Sequence, residues 1–360
     1  KVKTKGQIEG EELLVPKLRF KEFNSEYKKY KIGDTLKVKS GKDQKSIECI
    51  NGTYPILGTG GQIGTTNSFL YDKPSVLIGR KGTINKPQYM TTPFWTVDTL
   101  FYTDIKEEFN TKYIFYAFQN INWKKYDEST GVPSLSCKTI EEILYYIPNK
   151  DEQDKISTFI TLLDKKIELQ KKKIETLKIY KKGLIQELFS FNTFYEKKLE
   201  DICNITTGKL DANAMTLNGK YRFYTCAKEY YRINIYAFDT EALLISGNGA
   251  YVGYIHYYKG KFNAYQRTYV LDKFSENILY IKYYLDTFLA KRILAERKEG
   301  NTPYIVLNTL AKMTIIFPSS KVQNQIVSTL IKFDTKLDLE NKKLDKLHII
   351  KKSLLQQMFI

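Results

Sequence analysis

Two stretches of this 360-residue chain repeat one another, which limits the fold to two copies of one architectural unit. At a shift of 170 residues with no gap, 133–189 matches 303–359 at 17 of 57 positions. The matches fall in order: Pro148 on Pro318, Gln153 on Gln323, Ile156 on Ile326, Asp164 on Asp334, Leu177 on Leu347, Lys181-Lys182 on Lys351-Lys352 and Phe189 on Phe359. Upstream, at a shift of 167, Ile32 and Asp34 meet Leu199 and Asp201, Gly41-Lys42 meets Gly208-Lys209, and Leu77-Ile78 meets Leu244-Ile245. Each copy is therefore a variable block followed by a shared helical tail. The length also exceeds what one hydrophobic core usually serves.

After residue 151 the apolar positions Ile156, Phe159, Ile160, Leu163, Ile167, Ile174, Leu177, Leu184 and Leu188 step by three and four, with Lys, Glu and Gln between them. That spacing predicts a helix with one apolar stripe. Pro148 fixes its entry, no proline interrupts it, and about 40 residues make a rod of roughly 60 Å. The second tail repeats the stripe with Ile326, Leu330, Phe333, Leu337, Leu344, Leu347, Leu354, Leu355 and Met358. Neither stripe can be buried along its full length by its own block, so the two tails are expected to pair through Ile156, Leu163, Ile167, Ile174, Leu177 and Leu184 against Ile326, Leu330, Leu337, Leu344, Leu347 and Leu354. Since each tail leaves its block in the same way, a pseudo-twofold arrangement would run them antiparallel with the blocks at opposite ends. Packing of each tail on its own block, or oligomerisation through the tails, is the alternative.

The blocks read as strand-rich, with short β-branched and aromatic runs bounded by Gly, Asn and Pro. The run Ser75-Val76-Leu77-Ile78 enters Gly79-Arg80-Lys81-Gly82, and Ala242-Leu243-Leu244-Ile245 enters Ser246-Gly247-Asn248-Gly249. A glycine-rich loop after a buried strand permits close approach to a phosphate chain or a base edge, or is an ordinary turn. The net charge of +17, with 28 Tyr and 20 Phe, favours a polyanion partner but leaves nucleic acid and membrane surface both open. Side chains suited to bases and phosphates sit in or beside turns: Lys42, Gln44, Lys45, Gln62, Asn67, Arg80, Lys81, Asn85 and Lys86 in the first block, and Lys209, Lys228, Arg232, Asn248, Tyr251, Arg267, Arg297 and Asn301 in the second. Arg can bridge guanine N7 and O6, Asn or Gln can bridge adenine N6 and N7, and Lys neutralises phosphate. Any one of them is otherwise an ordinary solvated residue. Arg80 and Arg267 stand beside positions that recur in both copies.

Enzyme classes fare poorly. None of the Gly-Lys pairs at 41, 208, 219 and 260 is followed by Ser or Thr, so there is no Walker A loop. His256 and His348 are the only histidines, which leaves no histidine triad or zinc site. The Asp/Asn-Pro-Pro-Tyr/Phe strip of amino-group methyltransferases is absent. Cys49, Cys137, Cys203 and Cys226 lie far apart without a CxxC and read as reduced structural thiols. Residues 1–12 are polar and no apolar run approaches ~20 residues, so a soluble, cytoplasmic protein is expected. The first residue is Lys, and the start is expected to be incomplete or processed.

Taken together the layout resembles the specificity subunit of type I restriction-modification systems over essentially the whole chain. The residues that carry the resemblance are Pro16-Lys17-Leu18-Arg19-Phe20 with Phe23, Lys31-Ile32-Gly33-Asp34 with Ser40-Gly41-Lys42, Leu77-Ile78-Gly79-Arg80-Lys81-Gly82, Ile147-Pro148 before Glu152-Gln153 and Ile156, Leu163-Asp164, and Lys181-Lys182-Gly183-Leu184. The resemblance implies an α+β chain: an N-terminal segment (1–26), target-recognition domain 1 (27–150), spacer helix 1 (151–192), target-recognition domain 2 (193–318) and spacer helix 2 (319–360), the two helices forming an intramolecular antiparallel coiled coil. It implies a non-catalytic subunit whose two domains read an asymmetric bipartite site in double-stranded DNA. Its helices would set the spacer and dock two modification subunits, which bind S-adenosylmethionine and methylate adenine N6, while separate translocase subunits cleave unmethylated DNA. A chain that itself methylates or cuts DNA, and a stand-alone DNA-binding or coiled-coil scaffold, are the competing readings. The chain departs from the pattern at Ser246-Gly247-Asn248-Gly249, which lacks the basic pair of the first copy, so phosphate contact there is expected from Lys259, Lys261 or Arg267.

Overall fold

The computed structural model describes residues 14–190, 194–296 and 304–360. In chain order its elements are β1 (Lys28–Lys31), α1 (Ile32–Thr35), β2 (Leu36–Lys39), β3 (Tyr54–Gly58), β4 (Gly61–Thr66), β5 (Ser75–Gly79), β6 (Gln88–Met90), β7 (Trp95–Thr96), β8 (Leu100–Ile105), α2 (Thr111–Asn120), α3 (Cys137–Glu142), β9 (Leu144–Ile147) and α4 (Lys150–Leu188). There follow β10 (Tyr195–Lys198), α5 (Leu199–Ile202), β11 (Asn204–Thr207), β12 (Tyr221–Tyr224), β13 (Tyr231–Ile233), β14 (Phe238–Ser246), β15 (Ile255–Ala264), β16 (Thr268–Asp272), α6 (Ile278–Glu296), α7 (Leu307–Ala311), β17 (Thr314–Phe317) and α8 (Ser320–Met358). The chain is α+β and divides into two compact units, residues 1–172 with 341–360 and residues 173–340. The division falls inside both long helices, so each unit holds one strand-rich block, the start of one helix and the end of the other.

In the first unit β1 pairs with β9, and two sheets run β2-β8-β5-β6 and β4-β3-β7. β5 is buried at all five positions, which is why its sequence is apolar without alternation. Against it pack Ile32, Phe101, Tyr113, Phe118 and Trp123, together with Ile156 and Ile160 of α4 and Leu355, Met358 and Phe359 at the end of α8. The second unit follows the same plan: β10 pairs with β17, and one sheet runs β11-β16-β14-β15-β12-β13. Its six strands correspond to the two sheets of the first unit because the ten-residue β15 covers the positions of both β6 and β7. Its core joins Leu243, Ile245, Leu271, Tyr280 and Phe317 to Ile326 and Leu330 of α8, with Ile185, Leu188 and Phe189 from the end of α4 packed against it.

The repeated residues have specific tasks. Gln153 donates to the Pro148 carbonyl at 3.0 Å and Gln323 to the Pro318 carbonyl at 3.0 Å, so each buried amide fixes the same strand-to-helix turn. Asp164 accepts from Tyr116 at 2.8 Å and pairs with Lys351 at 2.6 Å. Asp334 accepts from Tyr283 at 2.8 Å and pairs with Lys181. Within the first unit, Tyr27 reaches both Glu152 near the start of α4 and the Met358 carbonyl near the end of α8. Within the second, Lys181 and Lys173 of α4 meet Asp334 and Glu340 of α8, so rising numbers on one helix meet falling numbers on the other. The two helices are antiparallel in each unit.

The stripe behaves differently at its ends from what a continuous rod would show. Ile156 belongs to the first unit's core, and Ile326 and Leu330 to the second's, because the opening turns of each helix lie on the block that precedes them. Between the ends, Ile167 and Ile174 are buried, while Leu163, Leu177, Leu184, Leu337, Leu344, Leu347 and Leu354 are half-buried. Among the described residues no helix is long and apolar enough to cross a membrane.

Candidate nucleic-acid interface

The first unit's loop is built from β5 outward. Gly79 is required because a Cβ there would meet the Thr83 carbonyl, and Gly82 has a φ of +91°, a conformation open chiefly to glycine. Arg80 N–H donates to the Thr99 carbonyl at 2.8 Å, Gly82 N–H to the Pro133 carbonyl at 2.8 Å, and Leu135 N–H to the Arg80 carbonyl at 2.9 Å. With the backbone pinned on both sides, the exposed Arg80 and Lys81 line a cleft of about 540 Å³ with Asp98, Glu128, Ser134 and Ser136. The Arg80 guanidinium donates to the Asp98 carbonyl at 3.3 Å. Hydrogen bonds from Thr139 and Ser136 lower the Glu128 pKa, keeping that carboxylate charged on the opposite wall. The cleft thus offers two cations on a pinned backbone and a hydrogen-bonded acceptor, the chemistry that guanine edges, phosphates and cytosine amino groups require.

The remaining first-block candidates divide by role. Lys42, Lys45, Gln62, Asn85 and Lys86 are exposed, and Gln44 is half-buried. Trp95 Nε1 donates to the Lys42 carbonyl at 3.0 Å, holding that loop and leaving the ammonium outside. Gln62 lies with Asn51 and Glu48 in a groove along β4. Asn67 is also exposed, but its amide oxygen accepts from Thr53 N–H at 3.2 Å and ties the open ends of the β3-β4 hairpin together.

The second unit copies the backbone and changes the side chains. Gly247 N–H donates to the Arg267 carbonyl at 2.9 Å, Ile305 N–H to the Gly247 carbonyl at 2.7 Å, and Asn248 bridges to Tyr304 as Lys81 bridges to Ser134. Asn248 is half-buried, whereas Lys209, Lys228, Arg232, Tyr251 and Arg267 are exposed. Lys228 lies 5.2 Å from the Tyr251 ring and Arg232 5.5 Å from the Tyr230 ring. Arg297 and Asn301 lie outside the described residues. Of the cations expected to compensate for the neutral loop, Lys259 faces Glu241 at 3.3 Å and Lys261 faces Asp239 at 3.9 Å across β14 and β15. Cross-strand pairing therefore occupies two of the three; Arg267 remains exposed. Arg222, which the sequence reading passed over, lies 4.4 Å from both the Tyr230 and Tyr258 rings.

Cys49, Cys137, Cys203 and Cys226 are free and half-buried, and burial pushes the Cys203 thiol up to about 12. His256 is packed between Tyr224 and Tyr254 with its ring nitrogen 2.9 Å from the Ala227 carbonyl, and burial lowers its pKa. Among the described residues no group of His, Cys, Asp and Glu could hold a metal ion.

The duplicated framework that carries the two loops is matched among known proteins. The model of the type I restriction modification DNA specificity domain matches twice, over residues 24–178 and 192–348, and the chain belongs to that family. The EcoDI type I restriction enzyme specificity subunit of Escherichia coli is 38% identical over 133 residues, covering 37% of this chain and 29% of that protein. The chain thus matches less than a third of that relative's length. A putative type I specificity subunit of Mycoplasma pneumoniae is 28% identical over 228 residues, covering 59% of this chain and 82% of the relative. The crystal structure of the type I restriction-modification S subunit from M. genitalium superposes with a TM-score of 0.68 at 20% identity, covering 96% of this chain and 99% of that one. A chain from a structural study of type I system assembly and conformational transition gives 0.60 at 11% identity, covering 92% and 97%.

Proposed function

We propose that the chain is the non-catalytic specificity subunit of a type I restriction-modification complex, reading two different half-sites of one bipartite, asymmetric DNA target. The observation that carries this is the reuse of one loop framework with different side chains, Arg80-Lys81 in one unit and Gly247-Asn248 in the other. The same backbone support with unlike donors reads unlike bases. Joining two weak readers in one chain makes one specific reader, with the antiparallel helices as the ruler.

Two copies of a methyltransferase subunit are the partners this reading requires, with S-adenosylmethionine bound there and adenine N6 as the target, reached by base flipping. A translocase subunit that cleaves unmethylated DNA completes the complex. Repeat-equivalent apolar residues left open on the helices support twofold docking: Leu169 and Leu339 are 57% and 53% exposed, and Ile179 and Ile349 are 73% and 67% exposed. In the first unit Leu169 and Ile349 belong to one helical pair, and in the second Ile179 and Leu339 do. Each unit thus carries one exposed Leu and one exposed Ile on its helical pair.

The test is protection of DNA by the assembled methyltransferase with and without this chain, across a salt series. Specific protection that depends on the chain and weakens steeply with salt is expected. Methylation by the chain alone would favour an enzyme, and partner binding without DNA binding would favour a scaffold.

A further inference from the structure

The neutral loop of the second unit leaves open which side chains hold the DNA backbone there. On β12 and β13 the arginines Arg222 and Arg232 are direct cross-strand partners in antiparallel register. Like charges placed opposite one another on a sheet are destabilising unless an anion sits between or above them. Among the described residues neither guanidinium pairs with a carboxylate. Aromatic rings hold them instead: Arg222 is 4.4 Å from Tyr258 and 4.4 Å from Tyr230, Arg232 is 5.5 Å from Tyr230, and Arg222 donates to the Tyr224 hydroxyl at 3.2 Å. The resulting order Tyr258, Arg222, Tyr230, Arg232 is a preorganised cationic ladder at the outer edge of the six-stranded sheet, where β13 is the last strand.

The repeat shows that this charge is peculiar to the second unit. At the shift of 167 residues, Arg222 and Arg232 correspond to Pro55 and Thr65, and these too are cross-strand partners, on the β3-β4 hairpin. The first unit therefore carries its cation pair on the loop, as Arg80-Lys81, above a neutral hairpin. The second carries a neutral loop, Gly247-Asn248, and a cation pair on the hairpin. Lys259 and Lys261 each face a carboxylate, Glu241 and Asp239, whereas the two arginines do not.

We propose that Arg222 and Arg232 bind the DNA sugar-phosphate backbone beside the half-site read by the second unit, supplying cations that its Gly247-Asn248 loop lacks. This rests on the DNA-reading function above. Two arginines held against rings suit phosphate oxygens, because the guanidinium edges keep most of their donors free while the faces are covered. Phosphate contacts fix register without specifying sequence, so the recognised bases should not depend on them.

The experiment uses the assembled methyltransferase containing the full chain, and compares wild type with Arg232→Gln, Arg222→Gln and the double variant. Affinity for the cognate duplex is measured between 50 and 200 mM salt, and the methylated motif is sequenced. Each lost phosphate contact should flatten the slope of log K against log salt by about 0.9, up to about 1.8 for the double variant. Affinity should fall about tenfold or more per arginine, with the methylated motif unchanged. Arg222→Gln also strips two ring contacts and the bond to Tyr224 and can loosen the hairpin; Arg232→Gln, which loses only the contact with the Tyr230 ring, keeps the test decisive. An unchanged slope overturns the proposal, as does a relaxed motif, which would make these base readers. Loss of the methyltransferase partner at unchanged slope would instead mark an acidic protein surface as the ligand. A wild-type complex without salt-dependent specific binding would reject the DNA-reading function itself, a result the variants do not mimic.

Discussion

Deleting residues 171–174 from α4 and 340–343 from α8 removes directly opposed segments, since Lys173 meets Glu340 there. The anchors on either side stay in place: Asp164 with Lys351 in the first unit, and Lys181 with Asp334 in the second. The deletion takes out Ile174 and leaves Leu177 six positions after Ile167 and Leu344 three after Leu337, a break in the heptad that the seam can absorb by local overwinding. Four residues at 1.5 Å each shorten the pair by about 6 Å. At 3.4 Å per base pair the preferred spacer should shrink by roughly one to two base pairs. The assay is methylation of a duplex library that differs only in spacer length, with circular dichroism and thermal melting confirming that the variant is folded. A folded, active variant that keeps the wild-type spacer would show that the helices do not set the distance.

Arg19 forms a bidentate pair with Glu152 at 2.8 and 2.6 Å, and the Glu152 side chain is 0% exposed. Arg19→Ala should therefore cost about 3 to 5 kcal/mol in denaturant unfolding, while a double Arg19→Met, Glu152→Met variant should recover most of it; the second copy already has Val322 at the equivalent place. A loss below about 1 kcal/mol for the single variant would contradict the burial argument. Burial holds His256 below the ordinary histidine value of 6.5, so the unfolded chain binds more protons at mildly acidic pH. Stability from this group should be complete above pH ~6.5 and decline as pH falls toward the folded pKa, read from the His256 imidazole by NMR with His348→Gln to simplify the spectrum. A folded pKa above the ordinary value would reverse the sign. A Cβ on Gly41 would meet the Val97 carbonyl, and one on the equivalent Gly208 the Ala264 carbonyl. Gly41→Ala and Gly208→Ala should each destabilise by about 1 to 3 kcal/mol in thermal unfolding, and neutral results would show that the strands can part there.

The parts legible in the sequence were those written in local period and in repetition. The stripes at spacing three and four gave both 39-residue helices, and the shared Asp164, Asp334, Lys181 and Lys351 turned out to be the ion pairs that set the antiparallel register. The buried run before Gly79 marked the loop correctly because a strand covered on both faces has no polar alternation. What could not be read depended on strand register. Arg222 and Arg232 are ten positions apart in sequence, and only the hairpin pairing puts them opposite each other. Register likewise set Lys259 against Glu241 and Lys261 against Asp239, removing two cations that composition alone counted as available. The stripe also gave no sign that the first turns of each helix would join a globular core, since core and coiled-coil positions share one period.

Mapping adenine methylation across a genome that carries this chain and its partner subunits, and again after deletion of this chain alone, tests the central claim most directly. One asymmetric motif in two parts with a fixed unread gap is expected, methylated throughout when the chain is present and unmethylated when it is removed. Methylation that persists after the deletion, or a motif that is continuous rather than split, would contradict that claim.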